Sequence, residues 1–235
     1  MIYSSELRWM FRGEVSQRII DWFVRGQAIA QEGGNKGRID EYLLFPGCDS
    51  VGVKLRGAQD PKSVLFEIKS ILGTSTPAFP RQGVGGKIDH WVKWSTHGEA
   101  LGPAAVLFKQ KSRWVSVGKG RYLRKLNLES ARPEEIAYPL LPSTTLPKIG
   151  CNFELTEIQS EGEKWFSLGF EAFGPRPQTP HALSAAVTFF LQTMGLPPDC
   201  ELVSGASMSY PFWLATHFYA TDEGSDSQAS NSPNQ

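Results

Sequence analysis

Basic side chains occur in closely spaced pairs within segments that otherwise alternate between charged and apolar residues. Lys54 and Arg56 are two residues apart, and so are Lys119 and Arg121. Because side chains two residues apart lie on the same face of a β-strand, each pair presents two positive charges together. Arginine binds phosphate oxygens in a bidentate manner and lysine binds them as a point charge. The pairs therefore indicate a site for a phosphorylated ligand.

Other charged residues alternate with apolar ones in the same way. They are the basic residues Arg8, Lys69 and Lys93 and the acidic residues Glu6, Glu67, Glu154 and Glu171. Carboxylates beside phosphate-binding cations are suited to hold Mg2+ or Mn2+, which bridges to the same phosphates. A structural interpretation stays open, because a glutamate two residues from a basic side chain also forms an ion pair that serves only the fold. Lys93 also suits a solvated edge strand.

The charges lie in segments whose period of two predicts β-strands. These segments are residues 6–12, 38–45, 51–56, 64–69, 91–96, 107–111, 114–126, 151–158 and 165–173. Apolar residues at helical spacing predict helices within 14–30 and 180–194, and loops are predicted at 33–37, 73–86 and 132–148.

We expect an α+β fold in which about eight antiparallel strands form a closed or nearly closed β-barrel with helices packed outside. The apolar strand faces then meet the helices, and the charged faces line a tunnel. A barrel of about eight strands is wide enough for one small ligand. Charges buried in such a lumen need ion pairs, water, or an anion with its metal.

Several motifs occur in an order that resembles a known family. They are Arg38-Ile-Asp40-Glu-Tyr42-Leu, Val53-Lys54-Leu55-Arg56, Phe66-Glu67-Ile68-Lys69, Lys119-Gly-Arg121, Gly150-Cys-Asn-Phe-Glu154, Met194-Gly195-Leu196 and Ser209-Tyr210-Pro-Phe-Trp-Leu214. Taken together, they are similar to the motifs of the CYTH superfamily of triphosphate tunnel metalloenzymes, which includes adenylate cyclases, thiamine triphosphatases and inorganic triphosphatases.

The resemblance implies metal-assisted attack on phosphorus, with water as the nucleophile in the hydrolases. It implies triphosphate contacts for Lys54, Arg56, Lys69, Lys119 and Arg121, and metal ligation by Glu6 and Glu154. We predict that Arg8 and Lys93 add to substrate binding. Asp40 and Tyr42 are predicted to be structural or to lie at the rim.

The chain departs from the family pattern at its metal ligands. Arg8 stands where the family's first strand has a second glutamate, Met10 stands where it has lysine, and Thr156 replaces a later glutamate. We predict that Glu67 supplies a metal ligand in compensation. Glu171 is the predicted catalytic carboxylate, which orients the attacking water or takes its proton.

Composition limits the other functions. The 235 residues contain 24 Lys plus Arg and 24 Asp plus Glu, so the zero net charge disfavours nucleic acid and membrane surfaces as partners. No apolar run is long enough for a transmembrane helix, and three widely spaced cysteines suit a reducing compartment, so we predict a cytoplasmic protein. Residues 1–220 are predicted to form a single domain, and residues 221–235 a disordered tail.

Three function classes compete. The leading one is a divalent-metal-dependent phosphohydrolase for a triphosphate-containing substrate: inorganic, nucleoside or thiamine triphosphate. The second is a non-catalytic binding module or sensor for polyphosphate or nucleotide, because two metal-ligand positions have changed. The third is a barrel for an apolar ligand, which would require an uncharged lumen.

Overall fold

The computed structural model describes residues 1–25, 37–45, 47–58, 64–76, 83–97, 113–137 and 145–218. The strands in these ranges are β1 (Ile2–Arg12), β2 (Arg38–Leu43), β3 (Val51–Arg56), β4 (Leu65–Ser75), β5 (Ile88–His97), β6 (Trp114–Asn127), β7 (Glu134–Ile136), β8 (Gly150–Ser160) and β9 (Glu163–Phe173). The helices are α1 (Gln17–Val24), α2 (Thr179–Met194) and α3 (Tyr210–Phe218). None of the helices described is long and apolar enough to cross a membrane.

The strands form one antiparallel sheet that closes on itself. Within the described ranges its order is β2-β3-β4-β5-β1-β9-β8-β6-β7, and an additional pairing of β2 with β6 joins the ends of the first eight. The short strand β7 adds to β6 outside this ring. The predicted fold class, an α+β protein built on an antiparallel barrel with helices outside, is confirmed.

The pairing register fixes which side chains share a face. Glu6 pairs with Glu171 across β1 and β9, and Lys54 pairs with Glu67 across β3 and β4. Directly paired residues of an antiparallel sheet point to the same side. The charged faces of separate strands therefore turn to one common side, the lumen.

The opposite face of the wall carries the main apolar core. Helices α1 and α2 pack there against outward-facing side chains of β1, β8 and β9. The ring of Phe153 stacks on Phe170 at a centroid distance of 4.2 Å, and Phe190 of α2 lies 4.8 Å from Phe153. Buried aromatic contacts of this kind contribute both area and ring geometry to stability. The core thus holds one side of the barrel rigid.

The ends of α1 and α2 follow their local sequence. The Ser16 hydroxyl accepts a hydrogen bond from the backbone N–H of Ile19 and so caps the first turn of α1. At the end of α2, Gly195 has a φ of 73°, which glycine adopts without the steric penalty of a side chain. The predicted helix at 180–194 is confirmed to within one residue. Helix α1 begins at Gln17, three residues after the predicted start at 14, and ends at Val24; residues 26–30 of the prediction lie outside the described residues.

Helix α3 lies across one end of the barrel, and the sequence pattern did not predict it. Its Trp213 is fully buried against lumen-facing residues, with its ring 5.9 Å from that of Trp165. Met10, Val117 and Ile158 belong to the same cluster. This apolar layer closes one end of the lumen.

Two loop predictions need correction. The segment 73–86 was expected to be a loop, but β4 continues through Ser75 after an irregularity in pairing between Ile71 and Gly73. The predicted loop at 132–148 contains β7, whose three residues are too few to show an alternating pattern. The predicted strand at 107–111 and the predicted tail at 221–235 lie outside the described residues.

Candidate functional site

The lumen contains a cavity of about 380 Å³. Every residue predicted to act on a ligand or a metal lines it: Glu6, Arg8, Lys54, Arg56, Glu67, Lys69, Lys93, Lys119, Arg121, Glu154 and Glu171. Arg38 joins them, so the described lining contains eight basic and four acidic side chains. The charged strand faces converge on one enclosed space, as the barrel prediction required. An uncharged lumen for an apolar ligand does not fit this lining.

The charges fall into two groups, which we name by their balance. In the cationic cluster two carboxylates are shared among five basic side chains. Its members are Asp40 and Glu67 with Arg38, Lys54, Arg56, Lys93 and Lys119. The cluster therefore carries more positive than negative charge when all its groups are ionised.

Asp40 is the buried centre of the cationic cluster. Its side chain is fully buried, and its Oδ1 lies 2.9 Å from Nε of Arg38. Its Oδ2 lies 3.5 Å from Nζ of Lys54 and 3.6 Å from Nζ of Lys119. Burial alone would raise the pKa of Asp40, but these three cations lower it well below its ordinary value. Asp40 is therefore a permanent anion that positions basic side chains, in keeping with its predicted structural role.

Glu67 plays a similar part closer to the cavity. Its Oε2 lies 2.9 Å from Nζ of Lys54, while Oε1 is 3.8 Å from both Nη1 of Arg56 and Nζ of Lys93. Burial opposes ionisation, yet Lys54, Lys93 and Arg56 lower the pKa of Glu67. A carboxylate surrounded in this way belongs to the basic lining.

Lys119 is the most buried basic side chain of the cationic cluster, and it lies against the stacked rings of Tyr42 and Tyr210. Its Nζ donates a hydrogen bond to the Tyr42 hydroxyl at 2.5 Å and lies 3.6 Å from the centroid of the Tyr210 ring. Burial lowers the pKa of Lys119 well below its ordinary value, although Asp40 opposes the shift. A bound anion would favour the charged form of this amine. The Tyr42 hydroxyl thus touches the site, which a purely structural or rim position did not anticipate.

The second group, the balanced cluster, has equal numbers of acids and bases. Its members are Glu6, Glu154 and Glu171 with Arg8, Lys69 and Arg121. Nη1 of Arg121 lies 2.6 Å from Oε1 of Glu154, and Nη2 of Arg8 lies 3.3 Å from Oε2 of the same residue. These contacts lower the pKa of Glu154 even though burial would raise it.

Glu6 and Glu171 form a carboxyl–carboxylate pair within the balanced cluster. They are direct partners across β1 and β9, and Lys69 forms an ion pair with each. Burial, together with the charge of Glu171, raises the pKa of Glu6. Lys69, Lys93 and a hydrogen bond from Glu6 lower the pKa of Glu171. Burial thus favours the protonated form of Glu6, whereas the neighbouring cations favour the ionised form of Glu171.

The three glutamates predicted as metal ligands are divided between the two clusters. Glu67 belongs to the cationic cluster, whereas Glu6 and Glu154 belong to the balanced one, and each contacts basic side chains. In the part of the chain that the structure describes, no three Asp, Glu, His or Cys side chains come together as metal ligands. The sequence gives the strand face of each glutamate but not its depth along the barrel. This arrangement does not fit a divalent metal centre.

Some lining residues were absent from the predicted set. They are Arg38, Tyr42, Gly52, Trp91, Thr156, Ser209, Tyr210 and Pro211. Arg38 stands two residues before Asp40, so its spacing could have assigned it to the site. Tyr210 reaches the lumen only because α3 covers the end of the barrel, and no local pattern reports that.

The chain has no match among family models and none among curated proteins. Among solved structures, the PH1012 protein of Pyrococcus horikoshii is 14% identical, with a TM-score of 0.45, over 83% of this chain and 92% of that one. A conserved hypothetical protein of Pyrococcus furiosus is 11% identical, with a TM-score of 0.41, over 83% of this chain and 93% of that one. The resemblance to the CYTH superfamily therefore stays a prediction.

Proposed function

We propose that the barrel binds the oligophosphate group of a small molecule, such as tripolyphosphate or a nucleoside triphosphate. The observation that carries the proposal is the excess of basic side chains in an enclosed cavity. Eight basic and four acidic side chains line the described cavity, and Asp40 lies behind them. Buried charge without a counterion is costly, so a multiply charged anion is the ligand that this lining stabilises best.

The kind of basic residue supports the same ligand. Arg38 and Arg56 are partly exposed, with 27% and 34% of their side-chain surface accessible, whereas Lys119 retains 6%. Guanidinium groups near the opening can hold phosphates in a bidentate manner, and the buried amine can meet a terminal phosphate as a point charge. A chain of phosphates matches this series of cations better than a single phosphate does.

Isothermal titration calorimetry tests the proposal. We expect affinity to rise from orthophosphate to pyrophosphate to tripolyphosphate, and ATP to bind in the tripolyphosphate range. Arg12→Ala is the matched control, because Arg12 lies on β1 with 71% of its side chain exposed and does not line the cavity. Equal, weak affinity for all three phosphates would contradict the proposal.

Hydrolysis of the bound oligophosphate is a second candidate function, and the Glu6–Glu171 pair favours it. A protonated carboxyl beside an ionised one can supply a proton to a leaving group while its partner orients water. Phosphate release is measured from tripolyphosphate, ATP and thiamine triphosphate with Mg2+, with Mn2+ and with chelator. Glu171→Gln should stop release while binding persists. If the wild type binds but releases no phosphate in any of these conditions, the binding module is the better description.

A further inference from the structure

Arg8 is the least expected residue of the balanced cluster. It lies on β1 between Glu6 and Met10, with only 8% of its surface exposed. Its Nη1 donates to the Ser167 hydroxyl at 3.1 Å, and its Nη2 donates to Oε2 of Glu154 at 3.3 Å. The guanidinium carbon lies 5.1 Å from the centroid of the Tyr210 ring. Contacts with three residues hold this side chain in place.

The backbone opposite Arg8 makes room for the guanidinium. Gly169 is the direct partner of Arg8 across β1 and β9. A Cβ at position 169 would come within 2.8 Å of both Cζ and Nη1 of Arg8, a distance that Cβ atoms do not tolerate. The observed position of the guanidinium therefore requires glycine at position 169, because a side chain there would force the guanidinium to move.

Arg8 also compensates the charge of its acidic neighbours. A guanidinium is a permanent cation, and that of Arg8 lies 3.3 Å from the buried carboxylate of Glu154. Without it, the three glutamates of the balanced cluster would keep only Lys69 and Arg121 of that cluster as ion-pair partners. Buried carboxylates that lose a cation must take up protons or recruit another cation.

We infer that Arg8 takes the place of a divalent metal ion, so that the cavity binds oligophosphate without one. The inference rests on the proposed function for its ligand. It also accounts for why the glutamates form no metal site: their compensating cation is part of the chain. Removing the charge of Arg8 should then create affinity for a divalent cation.

The first test uses the wild-type protein and tripolyphosphate in calorimetry, with chelator and then with Mg2+. We expect affinity in chelator to be within about threefold of that with Mg2+, a difference below about 1 kcal/mol. Binding that requires Mg2+ would overturn the inference and leave the proposed function standing. Absence of binding in both conditions would overturn the proposed function instead.

The second test needs no phosphate ligand. Electron paramagnetic resonance of free Mn2+ measures metal binding by the wild type, Arg8→Lys, Arg8→Gln and the control Arg12→Gln on the same strand. We expect Arg8→Gln to bind Mn2+ at least about tenfold more tightly than the other three proteins, because a nearby unit charge is removed from a partly buried site. Circular dichroism confirms that each variant is folded. Tight Mn2+ binding by the wild type, or equal binding by Arg8→Lys and Arg8→Gln, would overturn the inference; the wild-type measurement stands even if Arg8→Gln does not fold.

Discussion

The cationic and balanced clusters line the same cavity, yet their carboxylates differ in how strongly the surrounding charges favour ionisation. In the cationic cluster, Asp40 and Glu67 are outnumbered by basic side chains, and both stay ionised as fixed partners of lysine and arginine. In the balanced cluster the acids equal the bases in number, and the pKa of Glu6 is raised whereas that of Glu171 is lowered.

The difference shows how one barrel wall can separate two tasks. An excess of buried cations attracts an anion, and its two carboxylates are held in the ionised form. A balanced group attracts an anion weakly but contains a carboxyl, Glu6, whose pKa is raised by burial. Substitutions in the first cluster should therefore affect stability and affinity, and substitutions in the second should affect proton transfer or metal preference.

The largest expected effect is the loss of Asp40. Asp40→Ala leaves Arg38, Lys54 and Lys119 without their shared anion, so the free energy of unfolding should fall by roughly 3–5 kcal/mol. Urea denaturation followed by fluorescence measures it. Glu41→Ala on the same strand is the control, with an expected loss below about 1 kcal/mol. Equal losses in the two variants would show that Asp40 is not a structural centre.

Arg56 should matter for the ligand rather than for the fold. Its side chain is 34% exposed and lies 3.8 Å from Glu67, so unfolding should change by less than about 1 kcal/mol in Arg56→Ala. A charge-assisted contact to phosphate is worth roughly 1.5–3 kcal/mol, so tripolyphosphate affinity should fall by about 10- to 100-fold. Calorimetry and denaturation on the same sample separate the two effects. A variant that unfolds without a specific loss of affinity would make Arg56 structural.

The free energy of unfolding should fall at low pH because Asp40 becomes protonated. Its pKa in the folded protein lies below the ordinary value of 3.8, so its stabilising contribution is present above that value and is lost as pH falls toward the folded pKa. Between about pH 5 and pH 2 the wild type should lose on the order of 2 kcal/mol more than Asp40→Asn does. Parallel curves of unfolding free energy against pH for the two proteins would contradict the assignment.

Lys93 should give the smallest effect. Its Nζ lies 3.8 Å from Glu67, and 24% of its side chain is exposed, so it is partly screened by water. Lys93→Ala should weaken tripolyphosphate binding by about twofold to fivefold and leave unfolding unchanged. A loss in calorimetry as large as that of Arg56→Ala would place the phosphates nearer to Lys93 than the cationic cluster suggests.

The sequence predicted the charged lining well because the register of an antiparallel sheet preserves the alternation of each strand. Lys54, Arg56, Lys119 and Arg121 meet in one cavity for that reason. It did not predict which carboxylates meet, because strand tilt and stagger decide the depth of a residue such as Glu67. Helix α3 is not evident in the sequence because its apolar residues are not confined to one face, and its partners come from distant strands.

The closure of one end of the barrel by α3 has a consequence for long ligands. If a phosphate chain enters from the other end, its leading unit stops at the tyrosines and whatever exceeds the chamber stays in solvent. The affinity should then stop rising at a definite number of phosphate units, and that number measures the depth of the cavity. A long polyphosphate would bind by its end and would not pass through the barrel.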